Sequence, residues 1–107
     1  MAYRVEITPQ AEADLDQGYC YIARDSPKNA LRWWRRFYDV VARLSLFPEA
    51  YGHAPENDAV SFDVRQKLYG NYRILFTIDG ERVVVLRIRH AARLPLPPDE
   101  LSHPPSS

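Results

Sequence analysis

Four consecutive apolar residues, Val83-Val84-Val85-Leu86, stand just downstream of Asp79-Gly80. A strand sends alternate side chains to opposite faces, so a run that is apolar at every position needs cover on both sides, at least in part. Upstream, Tyr72, Ile74, Phe76 and Ile78 alternate with Arg73, Leu75 and Thr77. Asp-Gly suits a tight turn that needs positive φ, so residues 72–89 read as a β-hairpin whose second strand is central. With Asp79 and Gly80 as the two turn residues, Ile78 pairs with Glu81, Phe76 with Val83, Ile74 with Val85 and Tyr72 with Arg87. This register gives the aromatic face to a covering layer. It leaves Arg73 on the opposite face, with His90 on the parity of Leu86 and Ile88. Arg87 and Arg89 fall on the covered side, where they either extend past that layer into water or pair with acids such as Asp14 or Asp39.

The covering layer is legible upstream. Tyr3 to Thr8 alternates as a short strand and ends at Thr8-Pro9, an N-cap followed by proline at the first helical position. Ala11, Leu15, Tyr19 and Ile22 then recur at helical spacing, and Ser26-Pro27 repeats the start signal at once. Leu31, Trp34, Tyr38, Val41 and Leu44 carry the second stripe, with Arg32, Arg35, Arg36 and Arg43 mostly off it, and Phe47-Pro48 closes the helix. Residues 48–61 read as loop, and Val64 to Tyr69 as one further strand. The order is β-α-α-β-β-β, an α+β fold with an N-terminal helical hairpin packed on an antiparallel sheet. Residues 1–94 form the domain. Residues 95–107, rich in proline, read as an extended and mobile tail.

A chain of 107 residues suits one domain. Its formal charge is zero, yet residues 61–98 hold seven basic groups against three acids. Global charge therefore points to neither nucleic acid nor membrane, while the positive charge gathers in the C-terminal half. The lone Cys20 makes neither an intramolecular disulfide nor a metal site, and its position within the first helix suggests a small buried residue. There is no apolar run of membrane length and no signal-peptide pattern, so the expectation is a cytoplasmic chain without metal or small-molecule cofactor.

In the order of its elements the chain resembles the RelE/ParE superfamily of toxins. The residues that carry the resemblance are Thr8-Pro9-Gln10-Ala11 with Asp14-Leu15, the helix exit Leu44…Pro48…Gly52, and Tyr72-Arg73-Ile74-Leu75-Phe76 followed by the valine-rich strand ending Ile88-Arg89-His90-Ala91-Ala92-Arg93. The likeness covers residues 3–94. It implies a type II toxin neutralised by a cognate antitoxin protein. Trp33 and Trp34, adjacent on one helix and about 100° apart, are not both easily buried, so with Arg36 they form the expected antitoxin-binding surface.

The resemblance also implies two modes of action. In the hydrolytic branch, a ribosome-dependent messenger RNA endoribonuclease, Arg73 and Arg93 would hold the scissile phosphate, with His90 as the acid–base group. Arg65 and Lys67, on one strand face, match a cationic pair if the following loop is one residue shorter. In the ParE-like branch the toxin blocks DNA gyrase without hydrolysis. Overall neutrality and the incomplete nuclease set favour this branch. A degenerate member that only binds a partner is the third reading.

Overall fold

The structure is a computed structural model and describes residues 2–105. Strand β1 (Arg4–Ile7) leads into helices α1 (Pro9–Ala23) and α2 (Pro27–Arg43). After two 3₁₀ turns, Pro48–Ala50 and Pro55–Ala59, come β2 (Arg65–Tyr69), β3 (Tyr72–Asp79) and β4 (Arg82–His90), and a last 3₁₀ turn at Pro98–Glu100. Both helix starts are capped as the sequence indicates: Thr8 Oγ1 accepts from the Ala11 amide at 3.1 Å, and Ser26 Oγ from that of Asn29 at 3.2 Å. The Thr8 hydroxyl also donates to the Leu86 carbonyl at 2.9 Å, tying the start of α1 to the central strand.

The four strands lie in the order β1-β4-β3-β2. The sheet is mixed rather than antiparallel, because β1 runs parallel to β4, with Val5 opposite Val83 and Ile7 opposite Val85. The helical hairpin returns the chain to the end of the sheet where β1 began, as the bond from the Tyr3 amide to the Ser45 carbonyl shows. A four-residue strand carries no local signal for its direction, which is set by these long-range contacts.

The hairpin forms, with its turn one residue later than expected. Asp79 pairs with Arg82, so Gly80 and Glu81 make the turn, and Gly80 takes the positive φ of 61°. The shift frees the Asp79 carboxylate to accept from the Arg82 guanidinium at 2.8 Å. A bulge then changes the register. Phe76 faces Val85 but Leu75 faces Arg87, so Leu86 is the extra residue. Beyond it the parity of β4 reverses. Ile88 joins the helix-side core with Phe37, Ile74 and Phe76, and His90, expected on the far face, turns toward α1. Arg87 finds one of its expected partners: its fork meets Asp14 of α1 at 2.7 and 3.0 Å.

Along α2 the buried stripe is Ala30, Phe37, Val41 and Leu44, and Leu31 and Tyr38 lie outside it, 40% and 39% exposed. Two apolar stripes one residue apart are nearly degenerate in a pattern of mean period 3.6, and the helix buries the one without the tyrosine hydroxyl. Cys20 is likewise exposed rather than buried. Gly18 has a clear packing reason, since a Cβ there would lie 2.6 Å from the Trp33 ring.

The far face of the sheet is covered too. Leu75, Val84 and Leu86 pack with Ala54 and Val64 of the preceding segment and with Leu96 and Leu101 of the C-terminal segment. The proline-rich segment is therefore not a free tail, because two leucines between the prolines complete a second core. Arg89 donates to the Leu94 carbonyl at 2.7 and 3.0 Å and Arg87 to that of Glu100 at 3.2 Å, which fastens the segment further.

Arg73 sits under this cover, 7% exposed, with its two terminal nitrogens 2.9 and 2.8 Å from the two carboxylate oxygens of Glu56. Gln66 Oε1 accepts a third bond at 3.0 Å, and Glu56 Oε2 also accepts from the Leu96 amide at 3.0 Å. The expected open, arginine-bearing face is thus closed. Burial disfavours the charged form of Glu56, but the Arg73 fork and the Leu96 and Glu56 amides outweigh it and hold the carboxyl below its ordinary value.

Three expectations follow. For Gly18→Ala, overpacking of about 1–3 kcal/mol should exceed the roughly 0.5–1 kcal/mol gained in helix propensity; Tm by calorimetry should fall, and a rise would contradict the packing described. Arg73→Ala should cost about 3–5 kcal/mol in denaturant unfolding, because it strands a buried carboxylate. Since the folded-state pKa of Glu56 is depressed, its contribution is present above the unfolded carboxyl value of about 4.3 and is lost as pH falls through the lower folded value. The stability gap between wild type and Glu56→Gln should narrow on acidification below about pH 4; a gap independent of pH would show that the carboxylate charge has no such role.

Candidate functional site

The cations that the sequence marks out do not converge. Arg73 is closed off against Glu56 on the far face. Arg65 and Lys67 share a face, as their spacing requires, but it is the helix side, opposite Phe76 and Ile74. There Arg65 is spent on main-chain carbonyls, 2.6 Å from that of Tyr51 and 3.2 Å from that of Glu49. The Lys67 ammonium lies 5.6 Å from the centroid of the Tyr51 ring, a cation–π distance.

His90 and Arg93 do share a site. The reversed parity at the end of β4 and the turn after it bring them beside α1, where they line an open cleft of about 350 Å³ with Asp14, Gln17, Tyr21 and Tyr72. The His90 ring stands edge-on to Tyr72 at 5.0 Å, and its Nδ1 accepts from the Ala92 amide at 3.1 Å. That bond turns the strand end and leaves Nε2 as the other ring nitrogen for contact with a ligand or partner. Tyr72 in turn lies 5.1 Å from Trp33, so the cleft has an aromatic floor. Burial pushes the Tyr72 phenol above its ordinary range, with a smaller push from Tyr21. Asp14 lines the cleft but is already committed to Arg87 and to the Ile88 amide at 2.9 Å.

Arg93 is exposed and, among the described residues, takes part in no ion pair. Its neighbour Arg89 is held below its ordinary range by burial first and by the Arg93 charge next. Cleavage at a phosphate calls for cations converging on the developing charge, together with an acid and a base. Here one guanidinium, one imidazole and two phenols surround an open cleft, and the remaining arginines of β3 and β4 are occupied by carboxylates or carbonyls. This set can grip a surface. Among the described residues no three His, Cys, Asp or Glu side chains gather as a metal site, and no helix is long and apolar enough to cross a membrane.

Of the expected partner-binding trio, Trp33 and Arg36 line one shallow depression with Arg32 and Tyr69, and Trp34 lies away from it. Trp33 packs across Gly18 toward Tyr69 and Tyr72, and its Nε1 is buried without a hydrogen-bond partner. Trp34 leaves the other flank of the buried stripe and meets Tyr38 edge-on at 4.9 Å. Both indoles are half-buried, while Arg36 is exposed on the outer face. The residues that sequence reasoning did not single out are Glu56, Gln66 and Tyr21. Only Glu56 had a signal, and an indirect one: a guanidinium two residues from Leu75 on a strand covered on both faces requires a carboxylate, but nothing in residues 48–61 says which.

Known proteins show the same frame. The chain is similar to a chain of the chromosomal ParDE toxin–antitoxin system from P. aeruginosa, with TM-score 0.69 and 24% identity over 83% of this chain and 96% of that one. It resembles a chain of the RelBE2 toxin–antitoxin complex of Mycobacterium tuberculosis, with TM-score 0.57 and 25% identity over 84% and 99% of the two chains. A chain of the archaeal RelE–RelB complex of Pyrococcus horikoshii OT3 matches with TM-score 0.57 and 20% identity over 88% and 100%. No curated protein sequence matches. The family model described as the ParE toxin of the type II toxin–antitoxin system parDE matches residues 5–95, from β1 through the end of β4 and the turn beyond it, and the chain belongs to this ParE toxin family.

Proposed function

We propose that this toxin arrests growth in the cytoplasm by binding DNA gyrase and blocking it without hydrolysing a nucleic acid, and that a cognate antitoxin neutralises it. The observation that carries this reading is the dispersal of the candidate nuclease residues. Arg73 is closed off by Glu56 and the C-terminal segment, Arg65 and Lys67 lie on the opposite face, and only His90 and Arg93 reach a common cleft. The zero formal charge agrees, because nothing global attracts the chain to RNA. The cleft, with Tyr21 exposed at its rim and Arg93 beside it, is then the surface offered to the target: an aromatic and arginine patch of the kind that anchors protein contacts. A ribosome-dependent endoribonuclease would have to rely on His90 and Arg93 alone.

Purified wild-type chain should inhibit supercoiling of relaxed plasmid by gyrase in a dose-dependent way, and produce no new transcript ends in a translating extract. Arg93→Ala, a substitution of an exposed side chain, should leave Tm unchanged and weaken gyrase inhibition roughly tenfold or more. Transcript cleavage that disappears in His90→Ala and Arg93→Ala would replace this reading with the hydrolytic one. Inactivity in both assays would mark a chain that only binds its partner.

A further inference from the structure

The bond that turns the end of β4 also fixes the chemistry of the His90 ring. A backbone N–H can only donate, so the 3.1 Å bond from the Ala92 amide requires a lone pair on Nδ1. The neutral ring then carries its proton on Nε2, and the nitrogen left for the cleft is a donor rather than an acceptor. The other polar groups around the cleft lean the same way. Arg93 is an exposed guanidinium in no ion pair among the described residues, and Gln17, Tyr21 and Tyr72 each bring an N–H or O–H. The one carboxylate in the lining, Asp14, already holds three N–H groups: two from Arg87 at 2.7 and 3.0 Å and one from the Ile88 amide at 2.9 Å. Arg89 gives its N–H groups to the neutral Leu94 carbonyl, so its charge remains and adds to that of Arg93 at this end of the sheet.

We infer that the cleft takes one carboxylate of the target, an Asp or Glu side chain held by the His90 Nε2–H and the Arg93 guanidinium. A neighbouring apolar side chain of the target lies against Tyr21 and Tyr72. This assignment rests on the gyrase reading above and names the chemistry on gyrase that is recognised. It makes His90 a fixed donor instead of an acid–base group, because the lone pair that a base would use is occupied by the Ala92 amide. One cation beside one neutral donor matches a single negative charge shared by two oxygens. Recognition of a nucleic-acid backbone gathers several cations, whereas Arg65, Lys67 and Arg73 are directed to other groups on other faces. Tyr72, backed by Trp33, and Ile88 form an apolar wall beside the donors. A charge-assisted hydrogen bond is stronger next to such a wall than in open water.

The tests use the full chain. Long-range proton–nitrogen correlation at about pH 8, above the ordinary histidine range, should show the neutral His90 ring protonated on Nε2; a proton on Nδ1 would overturn the assignment. N-acetylglutamate amide, added up to roughly 100 mM because one ion pair holds a small ligand weakly, should shift the His90 and Arg93 side-chain signals. The neutral glutamine analogue should not. No response, an equal response to both probes, or a stronger response to inorganic phosphate would overturn it. Gyrase binding is then compared for two variants. His90→Asn keeps an acceptor for the Ala92 amide and removes the cleft donor, while His90→Gln places an amide N–H where Nε2 stood. With Tm as in wild type, His90→Asn should weaken binding about tenfold or more and His90→Gln by less than about threefold. Full binding by His90→Asn, or an equal loss in both, would contradict a donor role. Failure of wild type to bind gyrase, with the glutamate probe still seated at His90 and Arg93, would remove the gyrase reading and leave the carboxylate site standing.

Discussion

The fork between Arg73 and Glu56 is the interaction around which the far side of this molecule is organised. It joins three segments distant in sequence: the 3₁₀ turn Pro55–Ala59, the β2–β3 hairpin through Gln66, and the C-terminal segment through the Leu96 amide. Burying two charges costs several kcal/mol per ion after relaxation, and an isolated member of the pair would not be tolerated there. The fork and the accepted amide offset that cost only if all three segments are in place. A pair of this kind adds little net stability relative to well-packed apolar residues. What it does here is fix where the C-terminal segment lies, because the apolar contacts of Leu96 and Leu101 are not directional.

That cover answers the demand made by Val83-Val84-Val85-Leu86. The valines at 83 and 85 belong to the core under the helices, and Val84 and Leu86 to the core under the C-terminal segment. The need for cover on both faces was legible in four residues. Its source was not, because prolines spaced through residues 95–105 read equally as a mobile tail and as an extended strap. Both helices, their caps and the element order were legible because their signals are local: Thr8-Pro9, Ser26-Pro27 and spacings of three and four. The direction of β1 was not, since it depends on the return of the helical hairpin. The turn at Gly80-Glu81 and the bulge at Leu86 were not either, since one residue of slip is decided by which side chains pair across the strands. That slip moved His90 to the helix side, and with it the site.

Function follows from what the fold consumes. Of the arginines gathered in the C-terminal half, Arg65, Arg73, Arg82, Arg87 and Arg89 are bound to carboxylates or main-chain carbonyls, and Arg93 is left for contact with other molecules. The charge asymmetry visible in the sequence is thus largely structural, serving to fasten loops and the C-terminal segment to the sheet. The cations that remain free lie mostly on α2, off its buried stripe, and include Arg36, which the sequence placed at the expected partner-binding surface. On the proposed reading, the His90–Arg93 cleft is a surface for binding the target rather than part of a converging catalytic set.

The most direct measurement is amide hydrogen exchange at Leu96, whose N–H donates to Glu56 Oε2. If the strap is part of the fold, this amide exchanges as slowly as those of Leu75 and Val84 in the sheet beneath it, and opens only with the whole domain. Exchange at the rate of an unstructured peptide, with the sheet still protected, would contradict the closed far face and with it the dispersal of the cations.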